Sequence, residues 1–144
     1  MDREEYIARV AWLRRYGDAV RKQQALAQKL AEARAAAVRI TPVLSSARVQ
    51  SRDSASAAER AVERIEEARE LVQAQELVRK RLYAEIFPVI AALPDADERR
   101  VLCGRYLRGQ NMIDIAAEMG ISERHARRMH REAIQRLDMS ATTC

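Results

Sequence analysis

The residues with the clearest chemical capacity lie near the C-terminal end of the chain. Ser122-Glu123-Arg124-His125 opens a segment that continues through Arg127, Arg128 and Arg131. Arginine presents five N–H donors in a planar fork, suited both to gripping phosphate and to bonding two atoms of a guanine edge at once. Ser122 is an N-cap residue type, whose side-chain oxygen accepts from an orphan backbone N–H. At helical spacing, Glu123, Arg124, Arg127, Arg128 and Arg131 share a face opposite Ala126, Met129 and Ala133. His125 and His130 are read as further phosphate or base contacts. Such a face fits the major groove of double-stranded DNA.

The preceding segments have the residues needed to position that face. Asp95-Ala96-Asp97-Glu98 starts a helix whose acidic first turn complements the helix dipole. Its apolar side carries Val101, Leu102, Tyr106 and Leu107, and it is expected to end at Gly109. Asn111 caps the next helix, with Met112, Ile115, Ala116 and Met119 facing inward. Gly120 supplies a left-handed residue for a tight turn, and Ile121 anchors that turn. Ser122 then caps the last helix, whose inward side is Ala126, Met129, Ala133, Ile134 and Leu137. A helix, a glycine turn and a capped helix with outward arginines have the layout of a helix-turn-helix, here predicted over 93–140.

Upstream, residues 3–40 read as one helix with apolar side chains at Tyr6, Val10, Leu13, Val20, Leu26, Leu30, Ala33, Ala37 and Ile40. The stripe shows a phase slip near Gln23-Gln24. Thr41-Pro42 is expected to end it, because proline restricts its predecessor and cannot donate into the ladder. Residues 43–55 are Ser-rich without an apolar period and predict a loop. Ser56-Ala57-Ala58-Glu59 has capping-box spacing, and a second helix is expected from there, with a stripe at Ala61, Ile65, Ala68, Val72, Val78, Leu82 and Ile86. Pro88 kinks or ends it, followed by a short helical continuation. The two stripes predict an antiparallel, coiled-coil-like hairpin arm over 1–92.

Composition agrees with an all-α fold: 4 Gly, 3 Pro and 4% aromatics permit long helices and disfavour a large mixed core. The net charge of +5 favours a polyanionic partner. Bases concentrate in residues 1–52 and again in 122–137, while 53–94 leans acidic. Two cysteines are too few for a disulfide framework and imply a reducing compartment, hence the cytoplasm. No run of roughly 20 apolar residues suggests a membrane span. Neither a metal site, a cofactor nor catalysis is predicted. Both histidines sit in the recognition helix, Cys103 reads as a small core residue and Cys144 as part of a tail. Trp12 reads as a packing residue or interface anchor. The Glu59–Glu76 run interleaves with Arg60, Arg64 and Arg69 as a solvated face.

The residues Leu93-Pro94, Glu98-Arg99-Arg100-Val101-Leu102, Arg105-Tyr106, Ile113-Asp114-Ile115-Ala116, Met119-Gly120-Ile121-Ser122, Arg127-Arg128-Met129-His130-Arg131-Glu132-Ala133-Ile134 and Leu137 together resemble region 4 of bacterial sigma factors. They are similar, less closely, to the LuxR-type output domain. Over its length, with Tyr6 and Leu13-Arg14-Arg15 in the first helix, the chain resembles sigma-region-4-like proteins of Gram-positive phages and prophages, including RinA- and ArpU-type late-gene activators. The resemblance implies promoter DNA as partner and control of packaging or structural genes, and the hairpin arm is expected to serve self-association or contact with RNA polymerase. It departs from complete sigma factors in having no aromatic-rich promoter-melting region. The Arg-Glu pair usual at the start of the recognition helix is reversed, as Glu123-Arg124. Helix-turn-helix proteins usually bind as pairs, so a homodimer or higher homo-oligomer is expected. Two other readings are open: a small terminase-like binder of packaging sites, and an adaptor or anti-repressor using this fold to bind protein.

Overall fold

The computed structural model describes residues 1–46 and 52–140, with side chains over 1–39 and 56–140. Every regular element within them is helical. The order is α1 (Arg3–Ser46), α2 (Arg52–Ala91), α3 (Ala96–Leu102) running into a π-helical turn (Cys103–Leu107), α4 (Met112–Met119) and α5 (Glu123–Arg136).

The two long helices extend further than their sequence signals suggest. α1 continues past Thr41-Pro42 to Ser46, and α2 begins at Arg52, ahead of the Ser56 start expected. A proline denies a helix one N–H bond and crowds the preceding turn. A long helix absorbs that cost when turns on both sides are already formed, because propagation is far easier than nucleation. The 43–55 loop therefore shrinks from both ends, and residues 47–51 lie outside the described residues. Pro88 is likewise carried inside α2, which closes with the Ala92 N–H donating to Pro88 O at 3.1 Å.

The chain packs as two units, one formed by Met1–Ala19 with Arg79–Cys144 and the other by Val20–Val78. In the first, α1 and α2 run antiparallel. Arg15 pairs with Glu85 at 2.9 Å, Tyr16 meets Tyr83 edge-on at 5.5 Å, and the Arg79 guanidinium donates to the Tyr16 hydroxyl at 3.4 Å. Leu13, Ile86 and Ile90 are completely buried there. Trp12 is half-buried, with the Arg15 guanidinium 5.1 Å from its ring centre.

In the second unit the buried stripes differ from the expected ones at their polar positions. The α1 stripe runs through a half-buried Gln23 without a phase slip. On α2, Gln75 is buried whereas Val78 is 41% exposed. The series Ala61, Ile65, Ala68, Val72, Gln75, Arg79, Leu82 and Ile86 alternates steps of four and three, and Val78 falls one position off it. Position on the helix outweighs the hydrophobicity of the single residue.

The C-terminal helices form the small core that holds the site. α3 and α4 pack against α5. Val101, Met112, Ile115, Ala116 and Ala126 are buried together, with Met119, Ile121 and Met129 against them. Burial of each large aliphatic side chain stabilises the fold by about 1.5–3 kcal/mol. Ala116 and Ala126, both nearly solvent-free, leave room for the helices to approach closely.

α3 does not continue as a plain α-helix to Gly109. It widens into the π-helical turn, with the Arg108 N–H reaching back to Cys103 O at 3.0 Å and the Gln110 N–H to Gly104 O at 2.9 Å. Gly104 permits this turn to press on α4. A Cβ there would lie 3.1 Å from Ile115 Cγ1.

Candidate nucleic-acid interface

The recognition segment is fixed first by its own ends. Asn111 caps α4 by accepting from the Asp114 N–H at 2.8 Å. Gly120 then stops α4 at φ 68°, the left-handed conformation that only glycine adopts without strain. The Gly120 N–H donates to Ala117 O at 3.3 Å and the Ile121 N–H to Ala116 O at 3.0 Å. That pair is the closure of a Schellman turn, whose usual apolar contact is made here by Ile121 against the core. Ser122 follows directly, its Oγ accepting the His125 N–H at 3.1 Å. Turn and cap together leave no slack between α4 and α5, so the face α5 shows to solvent is determined.

The other end of α5 is held from α1. Arg9 Nη1 donates to Ile134 O at 3.0 Å, Gln135 O at 3.0 Å and Leu137 O at 3.1 Å. A guanidinium here satisfies orphan carbonyls and sits at the negative end of the helix dipole. A second clamp joins α3 to α5. Glu98, which the sequence places in an acidic first turn complementing the helix dipole, is buried and accepts from Arg136. Asp95 caps that first turn instead, accepting from Asp97 N at 2.8 Å and Glu98 N at 3.3 Å.

All seven residues singled out from the sequence come together. Ser122, Glu123, Arg124, His125, Arg127, Arg128 and Arg131 line one open concavity of about 780 Å³ on α5. Arg124, Arg127, Arg128 and Arg131 are exposed. Glu123 Oε1 accepts from both Nε (3.0 Å) and Nη2 (2.6 Å) of Arg127, an i,i+4 pair that stiffens one arginine and leaves Arg124 and Arg128 unpaired among the described residues.

His130 does not join this face. It is half-buried and 2.6 Å from the Tyr106 hydroxyl through Nε2, with the two rings tilted at 5.6 Å. Burial, followed by the neighbouring Arg105, Arg127, Arg131 and Arg14, lowers its pKa to about 4. Burial raises that of Tyr106 to about 12. The imidazole is thus neutral at physiological pH. Its spacing foretells this: His130 lies four residues after Ala126 and four before Ile134, both fully buried. Arg9 and the Glu98–Arg136 pair have no distinguishing local signal, since each depends on a partner distant in sequence, while Arg14 and Arg105 enter the sequence reading only through the resemblance.

Cys103 is half-buried and burial pushes its thiol pKa up, away from nucleophilic reactivity. Among the described residues no cluster of three or more His, Cys, Asp or Glu could hold a metal ion. None of the described helices is long and apolar enough to cross a membrane.

Two helices joined by a Schellman turn, the second carrying a row of exposed arginines, have the layout of a DNA-binding helix-turn-helix. Residues 89–138 match the family described as Sigma-70, region 4. The C-terminal domain is therefore sigma-region-4-like, a DNA-binding module. No curated protein and no solved structure matches the chain.

Proposed function

We propose that this chain is a sequence-specific DNA-binding transcriptional regulator of phage or prophage type, acting on late or packaging genes and carrying out no catalytic step itself. The carrying observation is the convergence of the seven α5 residues on one concave surface, with both ends of α5 tied down. A recognition helix must be held rigidly to distinguish base edges, and this one is. The phage setting is supported by the resemblance of Tyr6 and Leu13-Arg14-Arg15 in α1, together with the region-4 match that follows.

In this reading Arg124 and Arg128, free of internal partners, read bases, while Arg127 and Arg131 hold the backbone at the groove edge. Self-association is assigned to the arm, where Val38, Val62, Leu71 and Leu77 remain exposed. RNA polymerase is the expected second partner.

The test is binding of the full chain to DNA from its own genomic neighbourhood across several salt concentrations. Arg124→Ala and Arg128→Ala should each weaken preferred-site binding by about 1–3 kcal/mol and relax preference at one base pair. Binding that ignores sequence in the parent chain would reject the regulator reading. Ring-shaped assemblies of many copies on packaging-site DNA would favour a terminase role instead. Retention of a protein partner after loss of all α5 arginines would favour the adaptor.

A further inference from the structure

Behind the recognition face lies a second cavity of about 310 Å³ between α1, the π-helical turn and α5. Four arginines from these three elements line it: Arg14, Arg105, Arg127 and Arg131. Tyr106 and His130 line it as well, and no acidic side chain does. Arg127 is committed in part to Glu123. The guanidinium groups of Arg14, Arg105 and Arg131 make no ion pair or side-chain hydrogen bond among the described residues. Like charges gathered without counter-charge repel one another, at a cost recovered when an anion enters. At roughly 30 Å³ per water the space equals about ten waters, room for a phosphate group with part of its hydration. Burial is the main cause of the lowered His130 pKa, and all four arginines lower it further, as expected beside gathered positive charge.

We infer that this cavity takes a phosphate group of the DNA backbone, with Arg14 completing the site from outside the region-4 domain. The inference rests on the DNA-binding reading above. What favours a backbone phosphate over a free one is continuity: Arg127 and Arg131 line this cavity and the recognition concavity alike. A duplex seated on α5 therefore carries its phosphates past the mouth of the cavity. α1 becomes part of the DNA interface, and Arg14 holds the strand flanking the bases that α5 reads.

The experiment compares the parent chain with Arg14→Ala, Arg14→Glu and Arg128→Ala on a preferred and a shuffled duplex, each over a salt series. Arg14 is exposed and its side chain makes no hydrogen bond or ion pair among the described residues, so unchanged thermal unfolding of its variants serves as the folding control. Arg14→Ala should weaken both duplexes by the same factor. It should flatten the slope of log affinity against log salt by about 1, which over a fourfold salt change is about a fourfold change in the parent-to-variant ratio. Arg14→Glu should weaken binding further. Arg128→Ala should instead narrow the gap between the two duplexes.

If both Arg14 variants keep the parent's affinity and slope while Arg128→Ala weakens binding, the phosphate site is overturned and the DNA reading stands. If the parent binds neither duplex, the DNA reading fails. Inorganic phosphate titrated at constant ionic strength, followed by the His130 ring resonances, then separates the remaining cases. Shifts that Arg14→Ala abolishes would assign the cavity to a free phosphate and overturn the backbone source. An absence of shifts would remove the site altogether.

Discussion

Removing Arg136 should destabilise the C-terminal helices more than removing the charge of Glu98, although the two form one ion pair. The Glu98 side chain is 3% exposed and that of Arg136 is 55% exposed. Glu98 Oε1 accepts from Arg136, and Glu98 Oε2 is buried without a partner among the described residues. Arg136→Ala thus strands a carboxylate in a nearly water-free place. Breaking a fully buried pair from one side costs about 3–5 kcal/mol. The half-exposed arginine has already lost part of its strength to solvent, which brings the figure to about 2–3 kcal/mol. Glu98→Gln leaves Arg136 free to turn into water and keeps an amide at the site, at about 1 kcal/mol. Adding Glu98→Met to Arg136→Ala should recover about 1–2 kcal/mol, because the stranded charge is gone and the volume is kept. Urea unfolding followed by fluorescence reads this out, since the single Trp12 belongs to the same packing unit. Equal losses for Arg136→Ala and Glu98→Gln, or a double variant worse than both, would refute the reasoning.

Other expectations follow from the same packing. His130 has an ordinary pKa of 6.5, lowered to about 4 in the fold, so the unfolded chain takes up a proton first as pH drops. Its contribution is complete above about 6.5 and is lost as pH falls toward 4, by up to about 3 kcal/mol. His130→Gln should flatten that limb of a stability–pH curve, and an unchanged limb would disprove the assignment. Gly120→Ala should cost about 1 kcal/mol and Gly120→Asn less. No atom lies within 4 Å of the added Cβ, so the penalty is backbone strain alone. Arg9→Ala should cost about 1–2 kcal/mol and speed amide exchange in the last turn of α5, which hydrogen exchange by mass spectrometry can localise.

The helix-turn-helix was legible because its signals are local. Asn111, Gly120 and Ser122 each cap or stop a helix through partners within five residues, and Ala126, Ala133, Ile134 and Leu137 repeat at helical spacing. The seven-residue face follows from the same spacing. What escaped were features decided by distant partners. Glu98 has the sequence appearance of a surface acid, and only the return of α5 carries Arg136 to it. Proline and the Ser-rich run signal stops in the sequence, whereas helix propagation carries α1 through Pro42 and α2 through Pro88. Chemical type alone puts His130 on the outward face, whereas its register turns it toward Tyr106.

The first helix matters to recognition for a reason that follows from the length of α5. A helix of 14 residues has few internal bonds to spare, and its outward face carries only basic and polar residues that gain nothing from packing. Left to itself its last turn would fray, and the row of arginines would lose a fixed direction. Ser122 fixes the start, while the end is fixed by Arg9, a residue more than 120 positions away in sequence. The same stretch of α1 presents Arg14 beside Arg131. One element therefore both aims the recognition helix and adds charge at its edge. A change that loosened α1 should lower discrimination between sites and overall affinity together, whereas changes at Arg124 or Arg128 should affect discrimination first.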